Sequence, residues 1–433
     1  MNKTPSRQFG LITVISLVAG GMIGSGIFML PASLASFGSI GLFGWLIAAI
    51  GAIVLAKTFS KLSEVIPENG GSFAYTKAAF GDFPAFIVAW GYWISMWSTN
   101  AAVALTFAGY LGVFFPSTSQ SPLFAPIVAL VVIWTLTYVN SRSVRSGGNI
   151  QVTTTILKII PVIVVAIGGF FFFNVEHFTP FNLSGESAFT AVSGASLLCF
   201  YAFLGIEAAT IPADNIKNPS INIPRGTLIG VLVVVFLYVL STVSIFGVLS
   251  PEETAASTAP LSDAATRIFG SWASYLVAIG ACISTFGALN CYILLQGQLA
   301  QSMAKDGMLA KPMAYLNDQD SPAVAVVVSG VFITILLLLN VTKGLTNLYT
   351  FMVELTTITS LLFYLSAVLV YGYFAYRRER GFTRSLKNGL ITLIGLAFCL
   401  LVFLGSGLEI LVWSGVCLLA GVPIYYYYTK KNK

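Results

Sequence analysis

The stretch Ala19-Gly20-Gly21-Met22-Ile23-Gly24-Ser25-Gly26-Ile27-Phe28-Met29-Leu30-Pro31 places four glycines and a serine within residues 20–26, inside the first apolar run of the chain. Glycine is the poorest helix former after proline, so this run is predicted to break into two half-helices. Inside a bilayer every backbone N–H and C=O needs a partner, and non-helical backbone persists only where it is buried in protein or lines a wet cavity. The half-helix that restarts near Ser25 aims unpaired N–H groups and a positive dipole end at that cavity, an arrangement suited to a carboxylate. Close helix packing through small residues is the plainer reading of glycines in a membrane helix. Four in seven positions exceed what packing alone requires.

The remainder of the chain sets this break in a membrane. Of 433 residues, 57% are hydrophobic and 9% charged, with a mean hydropathy of +0.87, against about 25% charged residues in soluble domains. At about 20 residues per crossing, the apolar segments predict an all-α polytopic protein of about twelve spans. Apart from Arg267 and Lys343 in outward loops and Lys158 within a span, basic residues fall on one side: Lys3 and Arg7 before the first span, Lys57, Lys61 and Lys77 after the second, Arg142 and Arg145 after the fourth. Lys217 and Arg225 follow the sixth, Lys305 and Lys311 the eighth, Arg377 to Lys387 the tenth, and Lys430, Lys431 and Lys433 end the chain. Short basic loops stay cytoplasmic, so both termini are expected there, in a multi-pass protein of the plasma membrane. Lys3 and Arg7 imitate a secretory signal, but the apolar run is long for one and lacks a small-residue cleavage site.

The same residues exclude several functions. Cys199, Cys282, Cys291, Cys399 and Cys417 lie in apolar spans without C-x-x-C spacing, and His177 is the only histidine. A histidine metal site or a Ser/His/Asp triad cannot be assembled from them. No enzyme activity, metal or cofactor is expected. Basic residues without interleaved aromatics imply anionic lipid rather than nucleic acid as their partner.

A second interruption, Phe200-Tyr201-Ala202-Phe203-Leu204-Gly205-Ile206-Glu207, puts a glycine and a carboxylate in mid-span. Two broken helices opening successive five-span blocks mark an inverted-repeat transporter. Residues 1–175 are expected to form the first repeat, 186–377 the second, and 385–433 two peripheral helices with the C-terminus. Lys158, Glu207 and Glu354 lie nine or ten residues inside their spans, near the bilayer midplane. Each costs about 2.5–3.5 kcal/mol on insertion scales, so each is a site candidate. Lys158 is read as an internal cation in the place of a sodium ion, reaching carbonyls of the first break and a hydroxyl such as Ser284 or Thr285, or as a proton carrier. Glu207 is either a buried, neutral, structural carboxyl or a group that bonds across to span-seven or span-one backbone. One cation and two carboxylates leave a site of charge −1, which a cationic substrate neutralises. Tyr92, Trp93, Met96, Trp97, Asn100, Tyr201 and Tyr292 complete the expected pocket, where aromatic faces can hold a cationic tail.

Gly24-Ser25-Gly26-Ile27-Phe28-Met29-Leu30-Pro31, Asn69-Gly70-Gly71-Ser72-Phe73-Ala74-Tyr75, Gly205-Ile206-Glu207, Asp214-Asn215-Ile216-Lys217-Asn218-Pro219 and Ala304-Lys305-Asp306-Gly307 together resemble the amino acid–polyamine–organocation transporter superfamily. The likeness is greatest to its basic amino acid/polyamine antiporter branch, of the arginine–agmatine exchanger type. It implies a LeuT-like fold of ten core and two peripheral helices with sodium-independent alternating access. It also implies that amides around Ile23, Gly24, Ser25 and Gly26 hold a substrate carboxylate, while carbonyls of Met22, Tyr201 and Leu204 receive the α-ammonium. Asn100 and Glu354 would face the side chain, Tyr92, Tyr201 and Tyr292 would act as gates, and Glu207 would match a proton-sensing acid. The exchanger has tryptophan at the positions of Tyr201 and Tyr292 and no counterpart of Lys158, a residue that resembles neutral or broad-range carriers. Exchange of a cationic amino acid for a related amino acid or amine is therefore expected, with proton-coupled uptake of neutral amino acids as the alternative. The oligomeric state is left open, a homodimer being one option.

Overall fold

The computed structural model describes residues 10–66, 71–116, 121–142, 148–209, 216–379 and 381–431, with side chains in the fifth span described from Ile159 onward. The expectations for Lys158 as an internal cation and for the chain ends, and the motif residues Asp214 and Asn215, lie outside these residues and side chains.

The chain is a helical bundle. The first span is broken as predicted, into α1 (Leu11–Met22) and α2 (Gly26–Ala35), which meet at 41°. It is followed by α3 (Leu42–Val65), a short helix α4 (Ser72–Phe80), α5 (Asp82–Gly112), α6 (Phe124–Arg142) and α7 (Gly148–Gly169). The sixth span opens with α8 (Ala188–Tyr201), then loosens into turns and a 3₁₀ segment, Ile206–Ala209. Next come α9 (Pro219–Val248), two short helices α10 (Pro251–Ala256) and α11 (Pro260–Phe269), then α12 (Ser271–Lys305) and α13 (Ala323–Leu339). The chain finishes with α14 (Leu345–Arg377), α15 (Leu386–Leu404) and α16 (Leu408–Lys431). Among the described residues seven helices are long and apolar enough to cross a membrane, eight if the bent pair counts as one span, and three more are apolar but shorter.

Burial sorts these helices. In α14, 78% of the apolar window is buried, whereas α15 and α16 bury 22% and 17%, so the rest of the chain leaves most of their surface uncovered. The long helix α5 packs against α14, α12, α6, α4, α13 and α16 and is the axis of the bundle.

Small residues bring helices close where no side chain intervenes. A Cβ on Gly44 of α3 would stand 2.6 Å from the Ala195 carbonyl carbon of α8, and one on Gly51 would stand 2.5 Å from the Phe398 ring of α15. At Gly44 the obstacle is backbone, which cannot step aside. Gly44→Val is expected to cost about 1–3 kcal/mol through overpacking and to lower the melting temperature of the detergent-purified protein. An unchanged melting temperature would show that α3 and α8 are not packed in this way.

Candidate functional site

The site is built where the two helix breaks touch. At the end of α1, the Ile23 N–H donates to Ala19 O at 2.8 Å and the Gly24 N–H to Met22 O at 2.9 Å. With φ −75° and ψ 88° at Ile23, this is close to an inverse γ-turn. The chain re-enters a helix at Gly26, and the Phe28 and Met29 N–H groups both donate to Ser25 O. Ser25 makes no side-chain cap to its own helix. Its hydroxyl instead shares a 2.7 Å hydrogen bond with the Tyr201 hydroxyl at the end of α8. The first-turn N–H groups of α2 thus lack the usual serine cap and face the cavity side. Gly26 is required by close approach, because a Cβ there would meet the Tyr238 hydroxyl of α9 at 2.9 Å.

Tyrosines hold the break open. Tyr292 of α12 donates to Gly21 O at 2.7 Å, and Tyr238 donates to Met22 O at 3.1 Å. Two of the carbonyls freed by the unwinding therefore already have partners, as a bilayer demands. The second break abuts the first, since a Cβ on Gly205 would lie 3.5 Å from the Gly21 carbonyl carbon. Gly205 has φ +102°, a region that side-chain-bearing residues rarely adopt.

Just beyond, Glu207 is buried at 3% exposure. Tyr92 of α5 donates to its Oε1 at 2.5 Å, and Tyr364 of α14 donates to its Oε2 at 2.8 Å. The Gly205 N–H donates to the same Tyr364 hydroxyl at 3.3 Å. The carboxyl thus ties the sixth span to α5 and α14. The Tyr92 ring is stacked on Phe363, with centroids 4.2 Å apart and planes 17° apart, which fixes its hydroxyl.

Met22, Gly24, Ser25, Gly26, Tyr201, Leu204, Gly205 and Tyr292 form one side of the cavity, and Tyr92, Ser95, Met96, Thr99 and Val103 of α5 form the other. The α5 residues follow the spacing of one helical face, a pattern present in the sequence. The space is about 50 Å³, enough for a few waters and far below the roughly 300–1,000 Å³ of ligand pockets. A ligand of amino acid size needs lining side chains to move before it fits.

Several expected residues stand elsewhere. Trp93 and Trp97 turn away from the cavity and pack on Phe332 of α13, with centroid distances of 5.8 and 4.3 Å. Glu354 does not line the cavity; the charges close to it are Glu409 and Lys343, which pair with each other at 2.7 Å. The α14 residue beside the cavity wall is Thr356, whose hydroxyl donates to Ser98 Oγ at 2.9 Å. Two residues turn a helix by about 200°, so Glu354 faces the opposite way. The counted charge of −1 is therefore not assembled at the cavity. Asn100 is fully buried and directed toward Gln296 of α12 rather than into the open space. Ser284 is also buried, its hydroxyl without a partner among the described residues. Tyr238, Tyr364 and Gln296 escaped the sequence reading, because a tyrosine or glutamine in a long apolar helix carries no periodic mark of what it faces. Among the described residues the cysteines form no disulfide, and no cluster of three potential metal ligands occurs.

A family model for amino acid permeases matches residues 9–419. The chain belongs to the amino acid permease family. This permease is 30% identical to the arginine/ornithine antiporter of Latilactobacillus sakei, covering 100% of this chain and 92% of that one. It is likewise 30% identical to the cadaverine/lysine antiporter of Escherichia coli K12, over 93% and 90% of the two chains, and 27% identical to the putrescine transporter PotE of Haemophilus influenzae, over 97% of each. Among solved structures it resembles MhsT in complex with L-phenylalanine, with a TM-score of 0.66 and 15% identity over 94% of this chain and 100% of that one. The permease therefore has the LeuT-like fold inferred from its two breaks. It is a multi-pass membrane transporter and not an enzyme.

Proposed function

We propose that this permease is a sodium-independent exchanger, moving a cationic amino acid against a related amino acid or amine by alternating access. The observation that carries this reading is the cavity formed where the breaks of the first and sixth spans abut. It has uncapped N–H groups of α2 on one side and tyrosine rings over it. A substrate carboxylate would take the amides of Ser25 and Gly26, and its α-ammonium the carbonyls near Met22, Tyr201 and Leu204. Tyr201 and Tyr292 would move to admit it, with Tyr92 holding the opposite wall. The names of the relatives support a cationic substrate, and tyrosine faces suit a cationic tail. The five-plus-five repeat and cytoplasmic termini belong to the same reading.

Counterflow in proteoliposomes tests it. Vesicles loaded with lysine, ornithine, arginine or their amines are expected to take up labelled substrate saturably, without change when sodium is replaced by choline. Vesicles that show no exchange would refute the reading. Tyr201→Phe removes the hydroxyl bond to Ser25 that closes the cavity and is expected to lower the KM about three- to tenfold, since a neutral hydrogen bond of about 0.5–1.5 kcal/mol no longer has to break when Tyr201 moves.

A second reading is favoured by the carboxyl of Glu207 at the second break. If a proton drives uptake of neutral amino acids through it, an imposed pH gradient without internal substrate will drive accumulation. Indifference to that gradient excludes this alternative.

A further inference from the structure

The geometry points to Gln296 as a positioning residue that reads the distal end of the substrate through Asn100, an inference that rests on the exchange reading above. Asn100 and Gln296 are both fully buried, at the seam between α5 and α12. Asn100 Nδ2 donates to Met96 O at 2.9 Å and to Gln296 Oε1 at 2.8 Å. A main-chain carbonyl can only accept, so the Met96 contact fixes which end of the Asn100 amide is nitrogen, and the second bond then fixes Gln296. Two such amides can exchange a pair of bonds, but here they make one. Asn100 Oδ1 and Gln296 Nε2 are left without a partner among the described residues.

Neither amide lines the cavity, but each stands one helical turn from a residue that does. Met96, Thr99 and Val103, which line it, flank Asn100 on one helical face, and Tyr292 stands one turn before Gln296 on α12. An acceptor and a donor are therefore held ready beside the aromatic ring that must move when substrate enters. Buried polar groups without partners are costly, so a substrate whose tail reaches the seam gains by completing them. A tail with an amide end satisfies both, donating to Asn100 Oδ1 and accepting from Gln296 Nε2. An ammonium end satisfies only Oδ1 and is opposed by the N–H dipole of Gln296. Gln296 thus sets how strongly a cationic tail is favoured over a neutral polar tail of similar length.

The test measures inhibition constants of lysine, glutamine and norleucine against exchange of a labelled substrate in proteoliposomes, for the wild type, Gln296→Glu and Gln296→Met. Gln296→Glu replaces the spare donor with an acceptor, and the ratio of the glutamine constant to the lysine constant is expected to rise at least tenfold. Gln296→Met keeps the length without the amide and is expected to weaken glutamine about three- to tenfold, with lysine not weakened, norleucine changed less than twofold and the maximal rate retained. If both variants shift all three constants alike, or none, Gln296 is only a tie between two helices and the inference is overturned. Wild-type vesicles without any exchange overturn the exchange reading, and this inference with it. A live wild type with variants blind to the tail overturns this inference alone.

Discussion

Glu207→Leu is expected to abolish exchange and to destabilise the protein, whereas Glu207→Gln should retain much of both. The carboxyl receives the hydroxyls of Tyr92 and Tyr364 from two different helices. Leucine fills similar volume but leaves both hydroxyls buried, each costing about 1–3 kcal/mol when orphaned. It also releases the sixth-span break from α5 and α14, the two helices against which a moving segment must work. Glutamine preserves one acceptor oxygen, and its amide can donate to the second tyrosine, because a hydroxyl also accepts. Melting temperature and counterflow on the same preparations check both parts. Equal loss in the leucine and glutamine variants would mean that the charge matters rather than the bonding pattern, and would favour the proton-coupled alternative. Little change in either would remove the clamp from the mechanism.

Gly205→Val is expected to reduce exchange more than tenfold. At φ +102° a side-chain-bearing residue carries about 1–3 kcal/mol of backbone strain, and each 1.4 kcal/mol is a factor of about ten. A Cβ alone would sit in ordinary contact with Gly21, so Gly205→Ala reports the strain. The branched methyls of valine add a wedge between the two breaks. Exchange rates at matched protein density should therefore fall in the order glycine, alanine, valine. Equal activity of the alanine variant and the wild type would show that the break is not held at this backbone conformation.

Much of the site follows from chemistry that a linear sequence displays. Glycines clustered in an apolar run announce a break wherever the chain folds, because the missing Cβ and the demand for backbone partners are local facts. Ser25 and Tyr201 were legible for that reason, as was the burial of Glu207 beside Gly205, whereas Leu204 entered through the family resemblance and Tyr292 as one mid-span aromatic among several. What lies opposite these residues was not. Trp93, Trp97 and Glu354 are as polar or as aromatic as their neighbours, but rotation about a helix by about 100° per residue decides whether a side chain meets the cavity, another helix or the peripheral pair Lys343 and Glu409.

The sequence by itself therefore determined a polytopic α-helical permease with two broken spans and an anion-suited half-helix, since composition, span length and glycine placement each act within one segment. Only the tertiary structure decided that Tyr92 and Tyr364 clamp Glu207, that Tyr292 and Tyr238 take the carbonyls of the first break, and that Asn100 turns to Gln296. Those contacts join residues from helices far apart in the chain. Their partners are set by how the rigid helices rotate and pack, which no local pattern of residues records.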